Sequence, residues 1–263
     1  MQISGSTALL TGATGGIGHA IAEEMSARGA RLILTGRRVD VLEELAARLG
    51  ARALAADLSR PEEVERLLAE AGDVDIVIAN AALPASGRLE TYTIKEIERA
   101  LQTNLAAPIT MARTLTPAMV ARGEGHLVFV SSLAGLAATP GAPLYSATKH
   151  GLRGFASSLR IDLRSSGVGV STVFPGFIRD AGMHADAQVE LPRGVGTRSP
   201  QDVARAVVRA IVDNRGEIVV APPALRIGTA FAGIAPELAS TASRHMGSEE
   251  IARAYEQAQR DMR

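Results

Sequence analysis

The chain has 263 residues, 46% of them hydrophobic, and a formal net charge of zero. This length suffices to bury one large core, and the neutral balance argues against nucleic-acid binding, which needs a basic face. Because the chain has no cysteine, disulfides, thiolate metal sites and cysteine nucleophiles are excluded.

The N-terminal residues carry no basic leader ahead of an apolar run, and glycine, proline or charge interrupts every long apolar stretch. The sequence therefore predicts neither a signal peptide nor a membrane span, and we expect a cytoplasmic protein.

The composition shows one bias, since 26 arginines accompany only two lysines, Lys95 and Lys149. Arginine replaces lysine poorly where a compact ammonium is needed, so a retained lysine is a candidate for a specific role.

Short apolar segments alternate with amphipathic ones along the chain. The pattern predicts strands at Thr7–Leu10, Arg31–Leu34, Ala53–Ala56, Val74–Ala79, His126–Val130, Val168–Phe174 and Glu217–Val220. It predicts helices at Gly16–Arg28, Val39–Leu49, from Ser59, from Thr93 towards Arg122, at Tyr145–Arg164 and from Ser199 to Asp213. This alternation predicts an α/β fold in one domain, residues 1–263: a Rossmann-type, doubly wound, seven-stranded and mainly parallel sheet with helices on both faces.

Capping signals mark three of the predicted helix starts. Ser59 with Glu62, and Thr93 with Glu96, have the spacing of a capping box. Ser199-Pro200 places proline at the first helical position, where its missing N–H costs nothing.

Two stretches fall outside the alternation. Residues 176–198 form a long connection with proline and glycine, and we interpret it as a substrate loop. Residues 222–263 form a variable helical tail with apolar positions between Leu225 and Leu238, followed by a polar helix near Ser248–Arg260. We expect this tail to pack over a pocket or a partner.

The first strand leads directly into a glycine-rich turn, Thr11-Gly12-Ala13-Thr14-Gly15-Gly16-Ile17-Gly18, which opens a helix. Glycines let a pyrophosphate approach the backbone, and the helix N-terminus supplies N–H groups and a positive dipole. A tight turn without a ligand is the simpler alternative, but the position between strand and helix favours dinucleotide binding. The predicted contacts are Gly12, Thr14, Gly16, Ile17 and Gly18.

The second strand ends at Thr35-Gly36-Arg37-Arg38, with no acidic residue before Asp40. An acidic residue here usually holds a ribose 2′-hydroxyl, whereas arginine suits a 2′-phosphate. Arg37 and Arg38 therefore favour NADP over NAD, which stays possible. A solvated arginine pair is the alternative, and the absence of a basic residue in the glycine-rich turn counts mildly against NADP.

Tyr145 and Lys149 have the spacing of an acid–base pair. A carbonyl that receives a hydride needs a proton on oxygen, and tyrosine, with an ordinary pKa of about 10, becomes a better match when a cation lowers that pKa. Lys149 lies four residues after Tyr145 on the same helix face, and of the three tyrosines only Tyr145 has a cation at that spacing. A surface pair without function is the alternative.

Ser132 ends the fifth strand, at the sheet edge where ligands bind in open α/β sheets. Its hydroxyl is placed to hold a substrate oxygen beside Tyr145, while Ser131 should point to the opposite face. A strand-end serine that closes a turn is the alternative.

Asn104 lies four residues before Pro108, which has no N–H to donate to the Asn104 carbonyl. The sequence predicts a kink in the helix and a free carbonyl that holds a partner such as water. A helix break without function is the alternative.

These motifs together resemble the short-chain dehydrogenase/reductase family over residues 7 to about 180. Its Thr-Gly-x-x-x-Gly-Ile-Gly turn is matched in full. The other matching positions are Asp57-Leu58, Asn80 within Ala79-Asn80-Ala81-Ala82, the set Asn104, Ser132, Tyr145 and Lys149, and Pro175-Gly176. Two positions around Asn80 differ from the family's Asn-Asn-Ala-Gly, and Asp180 stands where the family often has threonine.

The resemblance implies roles for these residues. Asn104, Ser132, Tyr145 and Lys149 would form a catalytic tetrad, in which a water on Asn104 relays protons to Lys149. Lys149 would also hold the nicotinamide ribose. The implied cofactor contacts are Asp57 and Leu58 at the adenine, with Asn80, Tyr145, Lys149, Pro175, Gly176 and Ile178. The resemblance requires no metal, and the five histidines show no ligand spacing.

We therefore predict an oxidoreductase that transfers a hydride between NADP or NAD and a small-molecule carbonyl or secondary alcohol. The predicted lining is apolar: Leu133, Leu136, Pro140, Leu144, Phe177 and Met183. It favours a ketone, a steroid-like alcohol or an acyl chain. A non-catalytic, NAD(P)-binding regulatory protein is the alternative, and a sugar epimerase of the longer family branch is a third. The resemblance implies a homodimer or homotetramer paired through two long helices.

Overall fold

The structure is a computed structural model that describes residues 1–182, 195–235, 237 and 255–258. Seven strands form one sheet in the order β3-β2-β1-β4-β5-β6-β7, and every pairing is parallel. The strands are β1 (Thr7–Thr11), β2 (Arg31–Thr35), β3 (Arg52–Ala53), β4 (Ile76–Ala79), β5 (Gly125–Val130), β6 (Val168–Pro175) and β7 (Glu217–Val220). The predicted Rossmann-type sheet is confirmed.

Helices cover both faces of this sheet. They are α1 (Gly16–Ala27), α2 (Val39–Leu49), α3 (Pro61–Ala71), α4 (Ile94–Leu101), α5 (Ala107–Arg122), α6 (Pro143–Asp162), α7 (Pro200–Val212) and α8 (Pro223–Ile234). One apolar core packs α1, α2 and α7 on one face, and a second packs α3, α5 and α6 on the other. The strands are buried on both sides because each face meets one of these cores.

Two of the three predicted caps are present. Thr93 and Glu96 form a complete capping box, and Ser199 caps α7 with Asp202 as its partner. The predicted box at Ser59 is wrong, because α3 begins at Pro61 after an N-cap residue that makes no side-chain cap. The N–H and hydroxyl of Ser59 instead donate to Asp57 Oδ1, at 3.0 and 2.8 Å.

The helix that follows Thr93 changes its winding where proline interrupts it. Between α4 and α5 lies a π-helical turn, Gln102–Ala106, in which the Ala107 N–H donates to the Gln102 carbonyl. Pro108 occupies the first turn of α5. The predicted break at Asn104 is thus a wider turn with helix on both sides, a form that often accompanies functional sites.

The loop and the tail are described in part. Ile178 and Arg198 form an isolated parallel bridge between the two ends of the predicted substrate loop, while Met183 lies outside the described residues. Helix α8 leaves Ile227, Phe231 and Ile234 exposed, and the expected packing of the tail over a pocket or a partner stays a prediction for these residues. Leu238 lies outside the described residues, and residues 255–258 are helical.

Among the described helices, none combines the length and apolar character that crossing a membrane requires.

Candidate active site

The strand order reverses between β1 and β4, and ligands bind at such a switch point in open α/β sheets. Two adjoining cavities lie at the carboxyl ends of these strands and of β5 and β6. One is a polar groove of about 740 Å³, and the other is a mostly apolar cavity of about 340 Å³. Ile17, Asn80 and Ala82 line both, so the two cavities meet.

The polar groove collects the cofactor residues predicted from the first half of the chain. Its lining includes Gly12, Thr14, Gly16, Ile17, Gly18, Arg37, Arg38, Asp57, Leu58 and Asn80. The structure therefore brings the glycine-rich turn together with the ends of β2, β3 and β4, although these segments are far apart in sequence.

Close packing explains why glycine occupies the turn. Gly12 has a φ of +67°, and a Cβ there would lie 2.8 Å from Ala81 Cα. A Cβ at Gly18 would lie 2.1 Å from the Gly12 carbonyl oxygen. Such distances exclude any side chain, so the backbone N–H groups at the start of α1 form the floor of the groove.

Asn80 ties β4 to this turn. Its Nδ2 donates to the carbonyls of Thr11 and Gly12, at 3.0 and 3.3 Å, and its N–H donates to Thr11 Oγ1 at 3.0 Å. Asn80 therefore positions the turn at the same time as it lines the groove.

Arg38 makes a similar contact from the other side, because its guanidinium donates to the Thr14 carbonyl. The end of β2 is thereby joined to the glycine-rich turn. Gly36 lies under this junction, where a Cβ would approach Thr14 to 2.9 Å.

Positive charge surrounds the single acidic residue of the groove lining, Asp57. Burial, the largest single cause, acts to raise the pKa of Asp57, and the hydrogen bonds from Ser59 act to lower it. The charges of Arg37 and Arg99 add to this effect, so the pKa of this carboxyl lies below its ordinary value. Arg99, on α4, also lines the groove, and it was missed in the sequence because no motif marks it.

Two threonine hydroxyls at the groove are buried without a hydrogen-bond partner among the described residues, Thr35 Oγ1 and Thr103 Oγ1. Buried polar groups ordinarily find a partner. With the glycine floor and the three arginines, these hydroxyls fit a phosphate-bearing dinucleotide that has polar atoms along its length.

The apolar cavity holds Ser132, Tyr145 and Lys149. The Ser132 hydroxyl oxygen accepts from the Ala134 N–H at 3.2 Å and is also hydrogen-bonded to the Tyr145 phenol. Ser132 therefore stands beside Tyr145 as predicted, at the point where β5 ends.

Lys149 is 2% exposed, and its Nζ donates to the Val130 carbonyl at 3.0 Å. Nζ lies 5.6 Å from the centroid of the Tyr145 ring. Burial lowers the pKa of Lys149 to about 8.

The pKa of Tyr145 is raised, whereas the sequence predicted that it would be lowered. Burial raises it to about 12, and the hydrogen bond with Ser132 opposes this only in part. The net shift is therefore opposite to the one expected, because the cost of removing a phenolate from water dominates, and a lowering of this pKa by Lys149 stays a prediction.

Asn104 lines neither of these two cavities. Its Oδ1 accepts from the Leu83 N–H at 2.7 Å and its Nδ2 donates to the Leu83 carbonyl at 3.0 Å. The side chain thus fixes the loop after β4 to the π-helical turn. A proton relay through its backbone carbonyl stays a prediction.

Ser131 lies closer to the site than expected. It lines the apolar cavity beside Ser132, and its hydroxyl donates to the Lys149 carbonyl at 3.2 Å. This bond joins the end of β5 to α6, and it helps to set the position of Lys149.

The residues after β6 line the apolar cavity. Pro175, Gly176, Phe177 and Ile178 are all part of its wall. Asp180 has a φ of +66° and pairs with Arg179 at 3.5 Å, so its carboxylate is drawn to a neighbouring cation. The next residue, Ala181, covers Gly16, where a Cβ would meet it at 2.3 Å.

The substrate lining was predicted in part. Leu133, Pro140 and Phe177 line the cavity, whereas Leu136 and Leu144 are not in its lining. Leu144 packs against Tyr92 instead. Tyr255, from the C-terminal tail, also lines the cavity and was missed, because nothing in the tail sequence links it to the site.

No cluster of three or more histidine, cysteine, aspartate or glutamate side chains that could hold a metal occurs within the described part of the chain. Buried His126 is hydrogen-bonded to Ser171 Oγ at 2.8 Å, and burial lowers its pKa to about 3.

Comparisons with known proteins agree with this geometry. The family model described as short chain dehydrogenase matches residues 6–191. The ketoacyl reductase HetN of a Nostoc species is 33% identical over 227 residues, which cover 83% of this chain and 79% of that protein.

Two solved structures have the same fold. A short-chain dehydrogenase from Sphingobium yanoikuyae in complex with NADPH is 32% identical, with a TM-score of 0.76, over 89% of this chain and 95% of that one. The closed form of a serine dehydrogenase complexed with NADP+ is 28% identical, with a TM-score of 0.74, over 82% of this chain and 94% of that one.

Proposed function

The chain belongs to the short-chain dehydrogenase/reductase family of oxidoreductases, and we propose that it is an NADP(H)-dependent reductase of apolar carbonyl compounds. In the reverse direction it would oxidise the corresponding secondary alcohols. A nicotinamide nucleotide bound in the polar groove would supply or accept the hydride.

One observation carries the proposal. Ser132, hydrogen-bonded to Tyr145, and the buried Lys149 share an apolar cavity that adjoins the groove. A protein that only binds nucleotide needs the groove and has no need of this arrangement.

The phenol of Tyr145 provides the proton for reduction. With its pKa raised to about 12, this group is protonated at neutral pH and can donate to a developing alkoxide. The Ser132 hydroxyl binds the same substrate oxygen and orients it. The Lys149 ammonium stabilises the phenolate that remains after proton transfer.

The charge of the groove supports NADP. Arg37, Arg38 and Arg99 line it against the single acidic residue Asp57. A 2′-phosphate brings negative charge to this region, and guanidinium groups bind phosphate through charge-assisted hydrogen bonds. The NADPH and NADP+ complexes of the two solved relatives agree with this choice.

The cavity supports the proposed substrate class. Its volume of about 340 Å³ suits a small molecule, and its walls are mainly aliphatic and aromatic. One relative is named a ketoacyl reductase, and this name agrees with an acyl-like ketone as the substrate.

The outer faces of α5 and α6 support the expected pairing of copies into a homodimer or homotetramer. An open apolar groove of about 660 Å³ lies between these helices, with Ile109, Phe155 and Leu159 in its wall. A contiguous apolar surface of this kind is typical of an interface.

The test is to follow NADPH absorbance while the protein meets a panel of ketones and ketoacyl thioesters. We expect turnover of apolar members of the panel. Tyr145→Phe should lower kcat about a thousandfold, within the usual range for loss of a general acid, while the Kd for NADPH stays within a few-fold. NADPH binding without turnover in the wild type would favour the regulatory alternative. Near-normal turnover in Tyr145→Phe would overturn the role of the phenol.

A further inference from the structure

Tyr255 belongs to the C-terminal tail, far beyond residue 191 where the family match ends. It nevertheless lines the cavity that contains Ser132 and Tyr145. The family match therefore does not account for this side chain, although it lies beside the predicted reaction centre.

The residue after Tyr255 forms an ion pair with a loop at the cavity. Glu256 Oε2 lies 3.8 Å from Arg88 Nε, and the Glu256 side chain is only 17% exposed. Arg88 lies two residues after the loop residue Ser86, which itself lines the cavity. The ion pair thus connects residues 255–258 to the cavity rim.

That rim is itself tied together by hydrogen bonds. The Gly87 N–H donates to the Gly141 carbonyl at 2.5 Å, and the Tyr92 phenol donates to the Ser86 carbonyl at 2.9 Å. Gly141 belongs to a second cavity-lining loop, which leads into α6 and Tyr145. Because both loops are fixed, the tail meets a defined surface there.

We propose that Tyr255 is a specificity-determining residue, whose ring completes the wall of the substrate cavity and is held there by the Glu256–Arg88 ion pair. The ring favours carbonyl compounds with an apolar substituent large enough to touch it. This inference rests on the proposed reductase activity and adds a part of the chain outside the family match.

The chemistry of tyrosine suits this role. Its ring offers a large, rigid contact surface that loses little rotamer freedom on binding. The phenol is uncharged at neutral pH even at its ordinary pKa of about 10, and burial raises the pKa of Tyr255 further, to about 12. A small substrate such as acetone would not fill the space between this ring and the catalytic side chains. The ring would therefore contribute less binding free energy to acetone than to a larger carbonyl compound.

The first test compares acetophenone, which has an apolar ring, with acetone. In Tyr255→Ala we expect the ratio of kcat/KM for acetophenone to that for acetone to fall about tenfold, mainly through KM for acetophenone, since a wall of the pocket is lost. Tyr255→Phe should restore most of the wild-type ratio. An unchanged ratio in Tyr255→Ala would overturn the proposal, as would a Phe variant that behaves like Ala.

The second test concerns the ion pair. Exposed ion pairs contribute little, so Glu256→Gln should lower the same ratio only about two- to threefold. Arg88→Gln and the Arg88→Gln/Glu256→Gln double variant should show the same loss, because the pair is already broken in each single variant. Glu90→Gln is the matched control: Glu90 Oε1 also lies 3.4 Å from an Arg88 nitrogen, yet Glu90 does not belong to the tail. Fully additive effects, or an equal loss in Glu90→Gln, would contradict the anchoring role.

A binding measurement separates this inference from the proposed function. Isothermal titration calorimetry of acetophenone into the protein loaded with NADP+ needs no turnover. Weaker binding in Tyr255→Ala with an unchanged Kd for NADP+ would support the wall even if no carbonyl were reduced. Equal binding of acetophenone by wild type and Tyr255→Ala would overturn it even if the reductase activity were present.

Discussion

The two adjoining cavities share one edge of the sheet and differ in how the chain builds them. Backbone groups and fixed charges from the first half of the chain form most of the polar groove. The apolar cavity takes its wall from several separate segments, including the loop after β6 and the C-terminal tail. A groove made of close backbone contacts therefore tolerates little variation, while the neighbouring cavity can change its shape through single side chains.

This difference gives each cavity its own expected response to substitution. Changes at the apolar cavity should affect the chemical step and the choice of carbonyl compound. Changes at the groove should affect nucleotide affinity and leave the chemical step in place once the nucleotide saturates.

Lys149→Arg should have the largest effect among these substitutions. The side chain is fully buried against the Val130 carbonyl, and the longer, planar guanidinium does not fit where a compact ammonium stands. We expect kcat to fall below about a tenth of wild type at saturating NADPH. Steady-state kinetics with acetophenone would measure this, and a variant that keeps more activity would show that charge alone is sufficient.

The pH dependence of carbonyl reduction should also report the apolar cavity. The pKa of Lys149 lies at about 8, so its charged form is present below that pH and lost above it. We expect kcat/KM to be level below about pH 8 and to fall about tenfold per unit above it, since the phenol of Tyr145 stays protonated to about 12. A profile that stays level through pH 9 or so would assign no kinetic role to this ammonium.

Arg37→Asp tests the groove. A carboxylate repels a 2′-phosphate and accepts a hydrogen bond from a 2′-hydroxyl. A charge-assisted hydrogen bond contributes roughly 1.5–3 kcal/mol, so the Kd for NADPH should rise at least about tenfold while the Kd for NADH falls. Fluorescence titration of the two nucleotides would measure both values. Equal changes for NADPH and NADH would place the recognition at another residue, and Arg38 is the first to examine.

Arg99→Ala should give the smallest effect. Arg99 acts on the groove through its charge and also helps to keep the pKa of Asp57 low. Partly exposed charges contribute little, so we expect the Kd for NADPH to rise about two- to fivefold with kcat unchanged. An altered kcat at saturating NADPH would mean that the groove and the apolar cavity are coupled more strongly than their separate walls indicate.

The sequence predicted the groove better than the cavity for a physical reason. Gly12 has a positive φ, and Gly18 is required by a contact within the same local turn, so their spacing can be recognised in the sequence. Tyr255 contributes through its position in the folded chain, where it lines a cavity built from distant segments. No local sequence pattern predicts that position.

Predictions from local sequence spacing were also wrong where burial or a competing hydrogen-bond partner determined the structure. The pKa of Tyr145 rises because desolvation exceeds the effect of nearby groups, and spacing along a helix does not reveal desolvation. Ser59 hydrogen-bonds to Asp57 and so does not cap α3. The side chain of Asn104 bonds to Leu83, a residue that approaches it only in the folded chain.

The π-helical turn Gln102–Ala106 has a consequence for how this region tolerates changes in length. Such a turn accommodates one residue more than an α-helical path between the same neighbours, and each residue in an α-helix corresponds to a rotation of about 100°. Deleting one residue within it would let a regular helix run from α4 into α5 with the two in phase, whereas inserting a further residue would rotate α4 by about that angle relative to α5. Arg99 would then leave the groove. This turn should therefore tolerate a single deletion better than an insertion.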